Sequence, residues 1–471
     1  MNIKAITTFV LGLSTCLGYN SMAQTNTLYY GFDALPQSTY YNPGLENKNR
    51  LFIGVPALSG ININYQNKAF GLVDLFEKGT DFNANLDRVI NDMEDDDFLR
   101  LQTKIDVIDF GFKTKIGNFS AGIYNETNFY MDYPVEALKL FRFNGTNYIG
   151  DNLSFENVNI EAQGHIAAHV GFQKRFLDDK LSVGFRYKRL FGLAHAYTEN
   201  LDVGISRIDN FNLNINTNAM IRTSGIVDID GKTFSTENVG NAIDFGATYQ
   251  LTDKITLGAS VIDLGSITWK NDLVNYTASG SYNYSGLNVD LNADDPFDDS
   301  FDRIIDELEE ELNFGEDTVT NSYKTELPTR VMLSGTYQLT KKSSFIGVYN
   351  LQTVRRNAIH NFSANYYYQM SRNFQVMSSL NINGVQPKFG AGFAARLGYI
   401  QVYMMTDNLI QSIDYGNLKS LNFAFGLNIV VPDKKEKEND KVAKAEKKEK
   451  AKKEKKQKKE KKEKKKNEDK S

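Results

Sequence analysis

Two histidines, His165 and His169, stand four residues apart, the spacing at which a helix would present two metal ligands on one face. They lie in a run that alternates between polar and apolar residues, which predicts a β-strand instead. On a strand both side chains point to the same face but lie about 13 Å apart, at roughly 3.3 Å per residue, too far to share one ion. The sequence therefore predicts no metal site at this pair.

Two acidic clusters, Glu94–Asp97 and Asp294–Asp299, could attract calcium at a cell surface. Neither has the alternating Asp or Asn ligands and the glycine of a calcium-binding loop, so we interpret both as solvated acidic surface. No Gly-x-Ser-x-Gly motif, phosphate-binding loop or pair of catalytic carboxylates is evident, and one of only four histidines, His195, lies in a predicted loop. We therefore predict a protein that is not an enzyme, with no catalytic residue, cofactor or metal.

The first 23 residues are typical of a secretory signal peptide. Lys4 supplies the positive charge, residues 9–17 form the apolar region, and Ser21-Met22-Ala23 is a small-residue cleavage site. The only cysteine, Cys16, lies within this segment and matches a lipoprotein box poorly. We expect a mature chain without cysteine, which excludes disulfides and thiol chemistry from its mechanism.

Stretches of about ten residues after this segment alternate strictly between apolar and polar side chains. The clearest pair runs from Ile243 to Leu251 and from Ile255 to Val261, joined by Thr252-Asp253-Lys254. A soluble, secreted all-β sandwich would give the same pattern. The secretion signal, the repetition and the length favour transmembrane strands, which need roughly 9–11 residues each. Mean hydropathy is −0.42, and no apolar run after residue 24 is long enough for a membrane-spanning helix.

The number of strands follows from the connections between these stretches. Six connections are tight turns, and seven are longer loops. Because both ends fall on the turn side, the count gives fourteen strands, an even number that suits a closed antiparallel barrel without unpaired edges. The predicted turns are Lys115–Asn118, Leu177–Lys180, Leu251–Lys254, Leu339–Lys342, Met370–Asn373 and Arg396–Tyr399, and the predicted loops are roughly 66–103, 131–160, 195–240, 265–325, 355–358, 384–386 and 407–417.

Each predicted strand has one face suited to lipid and one suited to a wet or filled lumen. Val183, Phe185 and Tyr187 alternate with Gly184, Arg186 and Lys188. The last strand, from Leu421 to Val431, is continuously apolar on one face, but it does not end in an aromatic residue. The pattern therefore predicts a barrel lined by polar side chains.

Two loops contain near-copies of one amphipathic helix, at residues 86–94 and 301–309. Apolar residues recur in both at helical spacing, so each helix must cover an apolar stripe. Ordinary packing at the barrel mouth is one interpretation. The other is a lid over a lumen that accepts apolar ligands, with buried aliphatic residues Val89, Ile90, Ile304 and Ile305.

The net charge of −4 conceals a distinct C-terminal tail. Residues 432–471 contain 20 Lys against 11 Asp and Glu and have almost nothing to bury. We expect a disordered or single-helix spacer with Glu–Lys pairs. The alternative is attraction to an anionic polymer or another periplasmic partner. A secretion signal argues against nucleic acid as a partner.

Three local motifs give the sequence a family resemblance, which covers about residues 28–431. They are Tyr41-Asn42-Pro43-Gly44, Asp263-Leu264-Gly265-Ser266-Ile267-Thr268-Trp269, and Thr406-Asp407-Asn408-Leu409 followed by Phe425-Gly426-Leu427-Asn428. With these motifs the chain resembles an outer-membrane β-barrel family of unknown function, distantly similar to the long-chain fatty-acid (FadL-like) transporters. Those transporters have fourteen strands and an N-terminal plug that begins with Asn-Pro-Ala, where this chain has Gly44.

The resemblance and the pattern together predict the organisation and function. We expect a signal peptide at 1–23, an N-terminal plug or periplasmic segment at 24–58, an all-β outer-membrane barrel at 59–431 and the charged tail at 432–471. Both termini would be periplasmic in a Gram-negative bacterium. The resemblance implies a passive channel, embedded in outer-membrane lipid, for a hydrophobic or amphiphilic small molecule. A non-transporting scaffold of a secretion or surface complex is the alternative, and an outer-membrane enzyme is a third.

Overall fold

The computed structural model describes most of the chain between residues 27 and 433. The described residues are 27–32, 34–76, 80–94, 97–141, 152–156, 158–208, 212–226, 236–284, 307–354, 357–382, 387–409 and 419–433. The predicted signal peptide, Cys16, the acidic cluster Asp294–Asp299 and the charged tail from residue 434 lie outside them.

The chain is built mainly of β-strands. They are β1 (Asn49–Gly54), β2 (Ile61–Asn67), β3 (Phe98–Lys113), β4 (Asn118–Asp132), β5 (Asn152–Phe155), β6 (Ile160–Phe176), β7 (Leu181–Arg207), β8 (Leu213–Ser224), β9 (Val239–Gln250), β10 (Ile255–Trp269), β11 (Leu273–Tyr284), β12 (Gly315–Thr318), β13 (Tyr323–Glu326), β14 (Arg330–Thr340), β15 (Ser343–Val354), β16 (Asn357–Ser371), β17 (Phe374–Ile382), β18 (Pro387–Leu397), β19 (Ile400–Thr406) and β20 (Ser420–Pro432).

Fourteen antiparallel strands close into a barrel, as predicted. The first wall strand consists of two pieces, β1 and β2, which both pair with β3 on one side and with β20 on the other. The other wall strands follow in chain order as β3, β4, β6, β7, β9, β10 and β14 to β20. Pairing of the first strand with the last leaves no open edge in the wall.

All six predicted tight turns join neighbouring wall strands and lie at one end of the barrel, here called the turn end. The opposite end carries the longer connections and is called the loop end. In the turn between β6 and β7, Leu177, Asp178 and Asp179 have φ values of 53°, 52° and 68°. Left-handed residues of this kind match the twist of a tight hairpin, and Asp tolerates them better than most residues do.

The predicted boundary between plug and barrel, at residues 58 and 59, is wrong. Asn49–Gly54 already belongs to the wall through its pairing with β20 and β3. Residues 55–60 interrupt the strand, because Pro56 has no amide to donate and Ala57 has a φ of 59°. This break separates two alternating pieces of one strand. The alternation in the sequence therefore did not reveal that the first piece belongs to the barrel wall.

The connections 195–240 and 265–325 are not simple loops. Strand β7 continues past the barrel to Arg207, and its outer part pairs with β5 and β8. Strands β8, β11 and β12 extend this sheet in that order, while β13 pairs with β10. His195, assigned to a loop from the sequence, therefore lies in a strand.

In the described parts of the first two loops, three short helices lie at the loop end: α1 (Leu72–Leu75), α2 (Phe82–Asp92) and α3 (Val135–Phe141). Helix α2 covers most of the first predicted loop helix, and its N-cap Asp81 accepts a hydrogen bond from the Ala84 amide. It packs against α1 and α3. Leu86 and Val89 are buried. Ile90 is half-buried. No helix among the described residues is long and apolar enough to cross a membrane.

Only residues 307–311 of the second predicted loop helix fall in the described part of the chain, where they form a helical turn. Ile304 and Ile305 lie outside it. Leu312, next to this turn, is buried, and its carbonyl accepts a hydrogen bond from the Ser279 amide of β11. This turn therefore covers the sheet beyond the barrel.

The two faces of the wall differ as the alternation predicted. Arg186 and Lys188 point inward and are buried, whereas Phe185 and Tyr187 point outward and are exposed. Large apolar side chains form an exposed band on the outer surface, which includes Ile53, Phe110, Phe112, Val170, Phe172, Phe245, Tyr249, Leu257, Leu333, Phe345, Tyr366, Phe389, Met404 and Ile429. Such a band is the surface that a lipid bilayer would cover.

Candidate functional site

The inside of the barrel is filled by the N-terminal segment, defined as residues 27–47. It contains two short 3-10 helices, Thr27–Gly31 and Pro36–Tyr40, and its described residues form no strand. At the loop end, Thr27 Oγ1 donates to Asn381 Oδ1 at 3.2 Å. At the turn end, Asn49 Nδ2 donates to the Ala34 carbonyl, and the chain enters β1. The segment therefore runs the length of the lumen and is held mainly by its side chains.

One half of the inner wall carries an apolar patch, set among buried polar side chains such as Asn350, Asn365 and Asn428, and residues 28–35 cover this patch. Leu28, Tyr29, Phe32 and Leu35 are fully buried against it. Tyr29 stacks on Tyr41 with ring centroids 4.7 Å apart. The apolar patch is formed on strands β14 to β20 by Met332, Ile346, Val348, Tyr367, Met377, Ala394, Tyr403, Met405 and Ala424.

The other half of the inner wall is charged, and it meets Tyr40. The ring of Tyr40 has Lys104 Nζ 3.7 Å from its centroid and the Arg186 guanidinium carbon 4.5 Å away. Its hydroxyl lies 3.2 Å from Nε2 of His169, within hydrogen-bonding distance. Cations over an aromatic face are attracted to its π electrons, and this attraction is strongest where water is excluded. Tyr40 therefore holds the segment to the charged half of the wall.

The charges of this half form pairs across several strands. Lys188 Nζ lies 2.8 Å from a carboxylate oxygen of Asp244 and 2.5 Å from one of Asp263. Arg330 donates to the second oxygen of Asp263 at 2.5 Å, and Arg186 lies 3.5 Å from Asp244. All five side chains are buried, so each charge depends on its partners for solvation.

The backbone at Asp263 explains how its carboxylate reaches these cations. The register of β10 against β9 shifts between Val261 and Leu264, which is a β-bulge. Asp263 adopts a φ of 62° there, and its amide donates to Asp244 Oδ1 at 2.8 Å. Bulges re-aim side chains, and here the bulge turns an acidic residue into the lumen.

The Asn42-Pro43-Gly44 motif docks the segment directly on the wall backbone. Asn42 Oδ1 accepts from the Gly44 amide at 2.8 Å, and its Nδ2 donates to the Ala247 carbonyl at 3.2 Å. A Cβ on Gly44 would lie 2.6 Å from Ala247 Cα, and a Cβ on Gly184 would lie 1.9 Å from the Pro43 carbonyl oxygen. Glycine is therefore required on both sides of this contact.

The start of the segment is anchored by Asp407, which follows β19. Its carboxylate accepts from Asn422 Nδ2 at 3.1 Å, while its own carbonyl accepts from Asn381 Nδ2. Burial raises the pKa of Asp407 well above its usual value, and the Thr27 amide, which donates to the carboxylate, opposes that rise only in part. The motif Thr406-Asp407-Asn408-Leu409 thus contributes an anchor for the N-terminal segment.

At the turn end, Glu46 joins the segment to the rim of the barrel. Its two carboxylate oxygens accept from Lys113 Nζ at 2.6 Å and from Arg175 Nη1 at 3.1 Å. Lys113 also lies 3.4 Å from Asp433, the residue after β20. Partly exposed pairs of this kind add little stability, but they connect the segment to strands β3 and β6 at the turn end.

A recess opens at the loop end of the barrel, with an empty volume of about 1190 Å³ that includes open solvent. Its floor contains Arg100, whose guanidinium donates to Gln352 Oε1 at 3.1 Å and to Gln102 Oε1 at 3.2 Å. The remaining lining residues are Asn128, Phe129, Tyr130, Glu161, Gln163, Tyr197, Lys324, Thr325, Glu326, Leu327, Pro328 and Thr353.

The histidines with metal-like spacing lie inside the barrel on one face of β6, as the strand assignment predicted. Within the described part of the chain, no group of three or more metal-ligating side chains is close enough to hold an ion. His195 is buried instead against Trp269, with ring centroids 5.0 Å apart, and Tyr323 lies 2.9 Å from its Nδ1. The described ends of the first acidic cluster, Glu94 and Asp97, pair with Lys68.

The sequence missed the site itself. It predicted polar inward faces but neither the pairing of Asp263 with Lys188 nor the recess. A signal was present in the three motifs, because Asn42, Asp263 and Asp407 all make wall or segment contacts inside the barrel. Motifs of buried polar residues in an otherwise alternating chain indicate such internal contacts.

Comparison with known proteins gives a family match for this chain. The model of a family of unknown function (DUF5723) matches residues 43–407. No curated protein matches the chain. The predicted resemblance, to a barrel family of unknown function distantly similar to FadL-like transporters, is confirmed.

Several solved structures are distantly similar to this chain. The toluene transporter TbuX of Ralstonia pickettii is 10% identical, with 84% of this chain and 94% of that chain covered and a TM-score of 0.41. A FadL homologue of Pseudomonas aeruginosa is 12% identical, with 87% and 98% covered and a TM-score of 0.40. The Pseudomonas putida toluene transporter TodX is 9% identical, with 87% and 94% covered and a TM-score of 0.38.

Proposed function

We propose that this chain, which belongs to the DUF5723 family of unknown function, is a bacterial outer-membrane channel closed by its own N-terminal segment. The solute is a hydrophobic or amphiphilic small molecule that enters at the loop end. The turn end, where β1 begins and β20 ends, faces the periplasm.

An apolar patch on the inner wall is the observation that carries this proposal. The lumen of a channel for polar solutes is lined by polar side chains. Here Met332, Met377 and Met405 line the lumen together with aliphatic and Tyr side chains, and residues 28–35 cover them. Movement of the segment would bare an apolar surface along strands β14 to β20. Methionine side chains are flexible, so such a surface adapts to apolar ligands of different shape.

The outer surface and the N-terminus support the outer-membrane location. The exposed apolar band suits lipid, and residues 1–23 have the pattern of a secretory signal peptide. A water-soluble protein that exposed this much contiguous apolar surface would aggregate. We propose no catalytic role for the interior charges, because Arg186, Lys188 and Arg330 are paired with Asp244 and Asp263.

Solute flux into proteoliposomes tests the channel. We expect the purified protein to accelerate uptake of a fatty acid and of small aromatic molecules over empty liposomes, with no acceleration for a polar solute such as an amino acid. Failure to transport any apolar solute would refute the channel.

The second candidate is a non-transporting scaffold of a surface or secretion complex. One support is the closed lumen, because the N-terminal segment contacts both halves of the wall. The other is the Lys-rich composition of residues 432–471. It predicts no flux together with stable co-purification of a periplasmic partner that is lost when residues 434–471 are deleted.

A further inference from the structure

The loop-end recess differs chemically from the apolar patch on the inner wall. Its lining combines aromatic rings from Phe129, Tyr130 and Tyr197 with amide, carboxylate and basic side chains. The charges of its two basic residues, Arg100 and Lys324, are balanced by those of Glu161 and Glu326. The recess is therefore neutral overall, which disfavours a strongly charged ligand.

Two amide side chains of the lining indicate the kind of ligand that the recess binds. Gln163 is 3% exposed, and Asn128 is partly buried. Among the described residues, neither Gln163 Nε2 nor Asn128 Oδ1 has a hydrogen-bond partner. One atom is a donor and the other an acceptor, and both are buried in the recess wall. A buried polar atom without a partner is costly, so a ligand that satisfies it gains affinity.

We propose that this recess binds a neutral hydroxylated ring, a free saccharide or the sugar head of an amphiphile. A hydroxyl group both donates and accepts, so it can satisfy the Gln163 donor and the Asn128 acceptor. An ionised carboxylate can only accept, and an alkyl chain can do neither. Sugar rings also pack their C–H faces on aromatic side chains such as Tyr130. This proposal specifies the ligand class of the proposed channel. It rests on the proposed function in one respect, that solutes enter the barrel at the loop end.

The chain contains its own reporter for this site. Trp269 is its only tryptophan and is fully buried. Its Nε1 donates to Thr325 Oγ1 at 2.9 Å, and Thr325 Oγ1 donates to Gln163 Oε1 at 3.4 Å. A ligand that engages Gln163 changes the hydrogen bond of Thr325 and hence the environment of the indole.

Titration with neutral sugars, followed by Trp269 fluorescence and calorimetry, tests the proposal. The full-length protein is purified in an amine-oxide detergent, because alkyl glycoside detergents present the proposed ligand. The probes are a panel of neutral mono- and disaccharides that includes maltose, and separately dodecyl maltoside below its micellar concentration. We expect a saturable fluorescence change with at least one free saccharide. Saturation by dodecyl maltoside alone would identify the amphiphile as the source of the ring.

Gln163→Met removes the amide and keeps the length of the side chain, so we expect binding to weaken about tenfold or more. The matched control is Gln375→Met, since Gln375 is also an inward, buried glutamine with an unpaired amide oxygen, but it lies at the turn end. Asn128→Leu should weaken binding independently, which guards against a local folding defect in one variant.

Absence of a saturable response both to every free saccharide and to dodecyl maltoside, or equal affinity of the Gln163→Met variant and the parent, would overturn the proposal. The binding measurement does not depend on solute flux, so the sugar site and the channel can be refuted independently of each other. Uptake of apolar solutes without sugar binding would refute the ligand class and leave the channel intact.

Discussion

Thr27 and Asn381 are hydrogen-bonded inside the barrel, although 354 positions separate them in the chain. Asn365 Nδ2 also lies 3.4 Å from the Thr27 carbonyl, and Thr27 is fully buried. These contacts fix the start of the N-terminal segment to strands β16 and β17, while its other end continues into β1. Displacement of the whole segment from the lumen must therefore break the contacts of Thr27.

A disulfide between these positions should close the channel reversibly. In the variant Thr27→Cys with Asn381→Cys, the mature chain has no competing thiol if the signal peptide is removed. We expect oxidation to abolish flux of apolar solutes into proteoliposomes and a reducing agent to restore it. Each single cysteine variant is the control and should respond to neither treatment. Undiminished flux through the cross-linked protein, with the bridge verified by mass spectrometry, would show that the segment does not gate the lumen.

Enlarging Gly184 should detach the Asn42-Pro43-Gly44 motif from the wall. The added Cβ of Gly184→Ala would overlap the Pro43 carbonyl oxygen, and overpacking of this kind costs about 1–3 kcal/mol. We expect limited proteolysis to cut within residues 27–47 faster, while heat-modifiable migration of the barrel in gels is retained. Gly347→Ala is the matched control, because a Cβ there meets nothing within 4 Å. Equal cleavage of both variants would contradict the docking.

The sequence was sufficient for the strand count because alternation and tight turns are local properties. The same alternation correctly placed Arg186 and Lys188 inside the lumen. It fails at Asp263, because strict alternation from Ile255 and Val261 would turn this residue outward. The bulge between Val261 and Leu264 reverses the alternation, and a local pattern encodes neither its position nor the partners of Asp263 on β7 and β14.

The interior arrangement was less predictable for a second reason. Contacts such as that of Tyr40 with Lys104 and Arg186 depend on how the segment threads a closed barrel. The path of the segment cannot be predicted from a periodic sequence pattern, since the described residues of 27–47 form neither a strand nor a long helix. The motif Asn42-Pro43-Gly44 signalled an internal segment by resemblance alone.

Neutralising Asp263 should destabilise the barrel strongly. Asp263→Asn leaves Lys188 and Arg330 with one buried carboxylate fewer, and breaking a buried ion pair typically costs about 3–5 kcal/mol. Asn tolerates the left-handed backbone of this position, so the effect reports the charge. We expect a lower urea midpoint for unfolding in detergent micelles. Asp253→Asn, in an exposed turn, should leave the midpoint unchanged, and an equal shift in both variants would refute the role of the network.

The buried carboxyl of Asp407 predicts a pH-dependent stability. Its pKa is raised by burial, so the folded state favours the protonated form, and this contribution is complete below the unfolded pKa and lost as pH rises through the folded one. Asp407→Asn remains neutral at every pH. We therefore expect the variant to be more stable than the parent at pH 7.5, with the difference vanishing near pH 4. Urea midpoints at the two pH values measure this, and a parent that is the more stable protein at pH 7.5 would contradict it.

The last prediction concerns the docking of helix α2. Leu86 is 1% exposed and Val89 is 4% exposed, and the helix packs against α1 and α3. Burying one aliphatic side chain is worth about 1.5–3 kcal/mol, so Leu86→Asp should release the helix from its neighbours. We expect faster protease cleavage within residues 77–96, with unchanged cleavage within 285–306, because the turn at 307–311 covers the sheet beyond the barrel. Asn83→Asp, on the exposed side of the first helical turn, is the control. Faster cleavage of both loops in Leu86→Asp would instead support one joint lid formed by the two loop helices.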